Sequence, residues 1–169
     1  MEALAARQAI GLEIVAINDL TDNKTLAHLL KHDSSYGEYA HKVEYDENSI
    51  TVDGQKIKTF AETDPANLPW TDLEVDVVIE STGFFVDPAK AKAHIDPAGA
   101  KKVIISAPAK GDGADTIVLG VNEDKIKTGT TDVISNASCT TNSIAAVMDL
   151  MDREFGVEKA MLTTVHSDT

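Results

Sequence analysis

Apolar residues are concentrated in short, nearly continuous runs, and polar turns separate these runs from stretches with helical periodicity. Runs of this kind are typical of strands that are buried on both faces of a parallel sheet. The predicted core strands are Leu12–Ile17, Val75–Glu80, Lys101–Ile105, Thr116–Asn122 and Asp132–Ile134. The predicted helices are Met1–Ile10, Asp22–His32, Pro88–Ala98 and Thr140–Phe155. This alternation of strands and helices predicts an α/β fold with an open parallel sheet.

A second pattern interrupts the parallel sheet. Val43–Tyr45 and Ile50–Lys58 alternate apolar and polar residues, which is typical of strands with one face toward solvent. Asp53-Gly54 within the second stretch is a strong signal for a two-residue type I′ turn. We therefore expect an antiparallel hairpin beside the parallel sheet. Trp70 is expected to anchor the loop that follows.

Composition and charge exclude several classes of protein. The chain has 169 residues, 43% of them hydrophobic, and a formal net charge of −13. A nucleic-acid or anionic-membrane surface needs clustered Lys and Arg, so neither partner is expected. The single cysteine cannot form an internal disulfide. Because no apolar run approaches the roughly 18 residues of a membrane span, we expect a cytoplasmic protein.

Polar residues collect at the ends of the predicted strands. Ligands of an open parallel sheet lie beyond the carboxyl ends of its strands. These ends read Asn18-Asp19, Thr82-Gly83, Ser106-Ala107 and Ser138-Cys139. Small polar residues also simply stop strands, so each end alone is a weak signal. Asp19 either accepts hydrogen bonds from a ribose or belongs to a turn before the helix, and the pattern alone favours the turn.

The only cysteine, Cys139, stands where the strand Asp132–Ile134 passes into the helix Thr140–Phe155. Unpaired N–H groups and the helix dipole favour a thiolate or another anion at such a place. Position alone leaves two interpretations open, because a free cysteine at a helix start is as often a small core residue.

The path of the chain after this helix favours a reactive thiol. A helix of this length carries the chain about 24 Å away from Cys139, and Gly156 is typical of a helix C-terminus. The extended pattern Val157–His166 covers nearly the same distance back. His166 is therefore expected at the level of Cys139, where a thiol and an imidazole form a nucleophile and its base. His28, His32, His41 and His94 have no comparable placement, and we expect them to be surface or satisfied polar residues.

The segment Ser135-Asn136-Ala137-Ser138-Cys139-Thr140-Thr141-Asn142, with Thr164-Val165-His166-Ser167 downstream, resembles the active-site segment of the phosphorylating glyceraldehyde-3-phosphate dehydrogenases. The resemblance extends from about Leu12 to the last residue. It implies a Rossmann-type doubly wound parallel sheet with an antiparallel hairpin excursion, followed by the beginning of an α+β catalytic domain. The implied domains are an NAD-binding domain over residues 1–138 and the start of the catalytic domain over residues 139–169.

The resemblance implies an activity and a role for each candidate residue. The reaction is the conversion of glyceraldehyde 3-phosphate, NAD and inorganic phosphate to 1,3-bisphosphoglycerate and NADH through a cysteine thioester, carried out in glycolysis by a cytoplasmic homotetramer. Cys139 is the nucleophile and His166 the base. Ser138 and Thr140 bind the attacking phosphate, and Thr169 contacts the phosphate of the substrate. NAD contacts Asn18, Asp19, Thr82, Gly83 and Ser106, and no metal is implied.

The sequence departs from this family at its front, because no G-x-G-x-x-G segment precedes Leu12. We expect a partial chain without the central first strand, which is inactive by itself and binds NAD weakly. Three alternatives remain open. An erythrose-4-phosphate dehydrogenase would share these motifs, a cysteine hydrolase would use Cys139 and His166 without a cofactor, and a non-catalytic fragment or binding module would use neither.

Overall fold

The computed structural model describes residues 11–166 of the chain. The predicted helix Met1–Ile10 and the candidate phosphate ligand Thr169 lie outside the described residues. The described chain divides into two compact units, with the boundary between Leu73 and Glu74. Each unit contains one four-stranded sheet.

The first unit combines one parallel strand pair with an antiparallel meander. Its elements are β1 Ala16–Asn18, α1 Asn23–Lys31, β2 His32–Asp33, β3 Gly37–Glu38, β4 Val43–Asp46, β5 Ser49–Val52, β6 Gln55–Phe60 and a 3₁₀ turn at Pro65–Asn67. The sheet order is β1-β6-β5-β4, in which only β1 and β6 run parallel. β2 and β3 form a separate two-stranded ribbon. The antiparallel excursion predicted from the sequence is confirmed.

Local signals explain the boundaries in this unit. The Asp22 side chain accepts a hydrogen bond from the Thr25 N–H and caps α1. Asp53 and Gly54 both have positive φ, 49° and 83°, and Val52 pairs with Gln55, as a type I′ hairpin requires. Trp70 is buried and meets Phe60 edge to face, so its predicted anchoring role is confirmed.

The core of the first unit lies between α1 and the sheet. Three fully buried residues form its centre, namely Ile50, Val52 and Ile57. Partly buried side chains that pack against them come from the β1 region, α1, β4 and the segment after β3, and they are Ile14, Ile17, Leu26, Leu30, Tyr39 and Val43. Burial of the apolar face of α1 stabilises this short helix more than its intrinsic propensity does.

The second unit contains an all-parallel sheet. Its elements are β7 Val77–Glu80, α2 Pro88–Ala91, a 3₁₀ turn at Lys92–His94, β8 Lys102–Ile105, β9 Asp115–Thr116, α3 Asp124–Thr128, β10 Val133–Ser135 and α4 Cys139–Phe155. The sheet order is β7-β8-β10-β9, and all three strand pairs are parallel. Its core contains Ala91, Val103, Ile105 and Val133, with Val78, Val86 and Ile95 packed against them. The chain is therefore an α/β protein of the predicted class.

Four expectations differ from the structure. The predicted strand Leu12–Ile17 is present only as Ala16–Asn18, the residues that pair with β6. The predicted helix Pro88–Ala98 is an α-helix only over Pro88–Ala91 and continues as a 3₁₀ turn over Lys92–His94. The predicted strand Thr116–Asn122 ends at Thr116, because the Asn122 side chain closes a turn through Val118 N–H and Thr116 C=O. Val157–His166 forms no strand, since no strand of the described residues lies beside it.

Candidate active site

Three strand ends of the second unit meet at one edge of its sheet. Glu80 pairs with Ile105, and Ile105 pairs with Ser135, so β7, β8 and β10 end at the same level. The next backbone bonds continue this register, from Ser106 N–H to Glu80 C=O and from Asn136 N–H to Ile105 C=O. The sheet therefore brings the predicted residues Thr82, Gly83, Ser106, Ser138 and Cys139 to a common edge.

Cys139 is the first residue of α4 and is exposed. The helix begins here because the Ser138 hydroxyl accepts a hydrogen bond of 2.9 Å from the Thr141 N–H, which satisfies one of the unpaired donors of the first turn. The helix ends at Gly156, whose φ of +70° suits a residue without Cβ. The predicted helix and its end at Gly156 are confirmed, and its start lies one residue earlier than predicted.

His166 lies at the N-terminus of the same helix. Its Nε2 is 3.3 Å from the Thr140 Oγ1, so the imidazole is adjacent to the residue that follows Cys139. Although Val157–His166 is not a strand, it is long enough in an extended form to return along the whole of α4. The expected placement of His166 thus does not depend on a sheet partner.

The turn between β10 and α4 is held from both sides. Ala137 has a φ of +61° and is buried, and its N–H donates to the Ser135 Oγ. From the helix side, the Asn142 amide donates to the backbone carbonyls of Asn136 and Ser138 at 2.7 and 3.0 Å. Ser135 and Asn142 belong to the motif quoted above, yet nothing in their spacing marked them as holding this turn.

The Thr82-Gly83 turn rests on a buried carboxylate. Glu80 Oε1 accepts hydrogen bonds from the Thr82 N–H at 2.8 Å and from the Thr82 hydroxyl at 2.5 Å. Glu80 Oε2 accepts a 3.0 Å hydrogen bond from His94 Nε2, and both side chains are about 95% buried. Burial acts to raise the pKa of Glu80, but the hydrogen bonds from His94 and Thr82 outweigh it and hold that pKa below its ordinary value. His94 is therefore a satisfied polar residue, as expected.

The two predicted cofactor residues of the first unit, Asn18 and Asp19, differ in whether their polar side-chain atoms already have hydrogen-bond partners. Both polar atoms of the Asn18 amide are bonded to the backbone of Glu62, at 2.9 and 2.8 Å, so this side chain fixes a loop. Asp19 Oδ1 accepts from the Thr21 N–H at 2.8 Å, which is the turn that the sequence pattern favoured. Its Oδ2 has no hydrogen-bond partner within residues 11–166. Asp19 lines an open cleft of about 650 Å³ together with Leu20 and Phe60.

Two kinds of site are not found in the described part of the chain. Within residues 11–166, no three His, Cys, Asp or Glu side chains converge as a bound metal ion would require. None of the described helices combines the length and the apolar character needed to cross a membrane.

Comparison with known proteins identifies relatives over nearly the whole chain. Residues 1–88 match the family described as glyceraldehyde 3-phosphate dehydrogenase, NAD binding domain, and residues 138–169 match the corresponding C-terminal domain. A glyceraldehyde-3-phosphate dehydrogenase of Thermotoga maritima is 60% identical over 163 residues, which cover 96% of this chain and 48% of that protein.

Two further relatives carry the same name. The protein of Clostridium acetobutylicum is 54% identical over 94% of this chain and 47% of its own length. The protein of Borreliella burgdorferi is 53% identical over 94% of this chain and 48% of its own length. The chain therefore spans about half the length of the curated relatives it matches.

Proposed function

The chain belongs to the glyceraldehyde-3-phosphate dehydrogenase family, and we propose that it carries the NAD-binding and cysteine-bearing parts of an enzyme that oxidises glyceraldehyde 3-phosphate to 1,3-bisphosphoglycerate. The observation that carries this proposal is the meeting of Cys139 and His166 at one helix N-terminus. His166 Nε2 contacts the hydroxyl of Thr140, the residue next to Cys139.

In the oxidation step, the Cys139 thiolate forms a bond to the aldehyde carbon as the carbonyl π bond breaks, and the proton that Cys139 gave to His166 returns to the oxygen, which completes the thiohemiacetal. His166 takes the proton of the new hydroxyl while a hydride leaves the same carbon, so the product is a thioester on Cys139. NAD, when bound, supplies the acceptor for that hydride. The N-terminus of α4 favours the negative charge on sulfur and on the carbonyl oxygen.

In the second step, inorganic phosphate attacks the thioester carbon, the carbon–sulfur bond breaks, and Cys139 leaves as thiolate. Ser138 and Thr140 flank the nucleophile in the first turn of α4, where backbone N–H groups favour an anion. The Ser138 hydroxyl contacts Thr141, and the Thr140 hydroxyl contacts His166. A phosphate oxygen accepts the one proton of a hydroxyl, and this proton is available at Ser138 when Thr141 Oγ1 is the donor and at Thr140 when His166 Nε2 is the donor. We assign Thr169 to the phosphate of the substrate by family membership alone.

In each unit taken by itself, residues at the carboxyl ends of the strands suit part of a dinucleotide. In the first unit, Asp19 Oδ2 has no hydrogen-bond partner among residues 11–166 and lies at the cleft, where a carboxylate oxygen suits ribose hydroxyls. Gly83 has a φ of +78°, and apart from its two chain neighbours no atom of residues 11–166 lies within 4 Å of the position that a Cβ would take, so the turn leaves room for a ligand. Thr82 and Ser106 are exposed residues at the end of the second sheet, and the Thr82 hydroxyl is held by Glu80 Oε1 and the Phe84 N–H. We propose Asn18 as a residue that positions Asp19.

The remaining assignments are also proposals. We place the NAD-binding domain at residues 1–138 and the start of the catalytic domain at residues 139–169, supported by the C-terminal family match, which begins at residue 138. We further propose a cytoplasmic homotetramer, a role in glycolysis, and glyceraldehyde 3-phosphate and inorganic phosphate as substrates.

A chimera tests the proposed function. The matched 163-residue segment of the Thermotoga maritima relative is replaced by this chain, and NADH formation is followed with glyceraldehyde 3-phosphate. We expect phosphate-dependent activity that is lost in the Cys139→Ser variant and reduced at least about 100-fold in His166→Asn, the scale of general base catalysis. A chimera that carries the matched Clostridium acetobutylicum segment controls for the exchange itself.

The result that overturns the proposal is a folded chimera without NADH formation beside an active Clostridium control. Faster turnover of erythrose 4-phosphate than of glyceraldehyde 3-phosphate would instead favour the sugar-phosphate alternative. Ester cleavage that is insensitive to NAD would favour a cysteine hydrolase.

A further inference from the structure

Ser135 is a buried polar residue at the end of β10 with no surface exposed. Its hydroxyl uses all of its hydrogen-bonding capacity, which is one donor and two acceptor positions. It donates to the Ala107 carbonyl at 2.8 Å, and it accepts from the Ala109 N–H at 3.2 Å and the Ala137 N–H at 3.1 Å. A single side chain thus satisfies three backbone groups from two separate loops.

The first of these loops follows β8 and begins with Ser106. The second is the turn that leads from β10 to Cys139. Ala137 in this turn has a φ of +61°, a left-handed conformation that residues with a Cβ rarely adopt. Its N–H has no other hydrogen-bond acceptor within residues 11–166, so the Ser135 hydroxyl is the contact that holds this conformation from the sheet side.

The direction of the chain after Ala137 decides where α4 begins. Ser138 caps the helix and Cys139 is its first residue, so a change in the Ala137 backbone moves both. The Asn142 contacts hold the carbonyls of the turn from the opposite side. They leave the Ala137 N–H untouched.

We propose that Ser135 is the positioning residue for Cys139: its hydroxyl fixes the left-handed turn at Ala137, sets Cys139 at the start of α4, and ties that turn to the loop carrying Ser106. This inference rests on the proposed function, since it takes Cys139 as the nucleophile. Ser135 itself touches no reacting atom.

The test measures the rate of Cys139 alkylation by iodoacetamide at pH 7 in the full 169-residue chain, relative to that of a free cysteine peptide. In Ser135→Ala, we expect this rate to change at least about threefold, toward the rate of the peptide. Ser135→Thr keeps a hydroxyl and should retain most of the parent rate, which a merely structural role of Ser135 would not require. Val103→Ala removes buried side-chain volume from the same sheet and serves as the destabilised control, with an unchanged rate.

A double variant tests whether the effect of Ser135→Ala arises from the backbone conformation at Ala137. Glycine adopts positive φ without a steric penalty, so Ser135→Ala combined with Ala137→Gly should recover at least part of the parent rate. This double variant also keeps the inference testable if Ser135→Ala alone folds poorly, because Ser135→Thr and the double variant are then compared directly with the parent chain.

The possible results distinguish the positioning role of Ser135 from the proposed role of Cys139 as nucleophile. A parent rate that differs from that of a free cysteine peptide, together with an identical rate in Ser135→Ala, overturns the positioning role and leaves the proposed nucleophile standing. An equal change in Val103→Ala also overturns it, since stability alone would then explain the effect. A parent rate identical to that of the free cysteine peptide overturns the nucleophile and the positioning role together.

Discussion

Replacement of His94 by leucine should destabilise the second unit more than any other single histidine substitution among the described residues. His94 Nε2 donates to a carboxylate that is buried with it, and the other two hydrogen bonds to Glu80 come from Thr82. Leucine fills a similar volume and offers no donor. The substitution therefore removes one of the three hydrogen bonds while leaving the charge buried.

The expected loss of stability in His94→Leu follows from the hydrogen bonds that Glu80 keeps. A hydrogen bond to a charged group contributes about 1.5–3 kcal/mol, and its loss here also leaves a buried carboxylate one donor short. Because the two Thr82 bonds persist, we expect about 3 kcal/mol for His94→Leu. His94→Gln keeps an amide donor and should cost about 1 kcal/mol. The double variant Glu80→Gln with His94→Leu should be more stable than His94→Leu alone, since no charge stays buried.

The pH dependence gives an independent check. The pKa of Glu80 in the folded chain lies below its ordinary value of 4.5, so its stabilising contribution is fully present above about pH 5 and is lost as the pH falls through the folded-state pKa. Without His94, burial is no longer outweighed and the pKa of Glu80 should rise. Acidification from about pH 7 to 5 should then narrow the stability gap between His94→Leu and the double variant.

The assay is urea unfolding followed by hydrogen exchange of peptides from residues 74–106. His41→Leu is the matched control, because His41 pairs with Asp53 on the surface, where both side chains are over a third exposed, and such pairs contribute about 1 kcal/mol or less. The reasoning is refuted if His94→Leu costs no more than His41→Leu, or if its gap to the double variant is the same at both pH values.

Three further predictions concern separate features. Asp19→Gly in the chimera should narrow the preference for NAD over NADP, because the Asp19 carboxylate repels a 2′-phosphate. The measurement is the ratio of the kcat/KM values for the two cofactors, and equal kcat/KM values in the parent chimera would mean that Asp19 is only a turn residue. Ser138→Ala should destabilise α4 by about 1 kcal/mol through loss of its N-cap bond, read from amide exchange in the first helical turn, whereas Ser143→Ala should not. Gly54→Ala should destabilise the first unit by about 1 kcal/mol in urea unfolding monitored by Trp70 fluorescence, since a residue with a Cβ is strained at a φ of +83°.

Local signals predicted the elements whose boundaries depend on neighbouring residues. Asp22 marks the start of α1, Asp53-Gly54 the hairpin, and Gly156 the end of α4, and each acts through a backbone conformation or a cap within a few residues. These devices are readable from sequence because both partners are close along the chain.

The errors have a common physical origin in distant partners. Val157–His166 has the composition of a strand, but a strand exists only where another backbone completes its hydrogen bonds. Thr116–Asn122 is apolar enough for a longer strand, yet the Asn122 side chain competes for Val118 N–H and Thr116 C=O. The pattern of apolar and polar residues does not show whether a backbone N–H or C=O group will form its hydrogen bond with another strand or with a side chain.

In the candidate site, too, some residues could be predicted from the sequence and others depend on distant partners. The relative positions of Cys139 and His166 could be predicted from the sequence. The length of α4 and the length of the extended segment that follows it are nearly equal, and this match does not depend on the surrounding contacts. Ser135 and Glu80 could not be placed, since a buried serine or glutamate has no signature until its partners 26 or 14 residues away are known.

Both of these buried residues accept hydrogen bonds from backbone N–H groups of turns at the carboxyl edge of the second sheet. Apolar packing is nondirectional and would tolerate small shifts of those turns. A hydroxyl or carboxylate with several short, oriented bonds does not, because an unmade bond leaves a buried polar group unsatisfied. The geometry at Thr82 and Cys139 is therefore set by directional contacts, and substitutions at Ser135 or Glu80 should alter the site before they unfold the sheet.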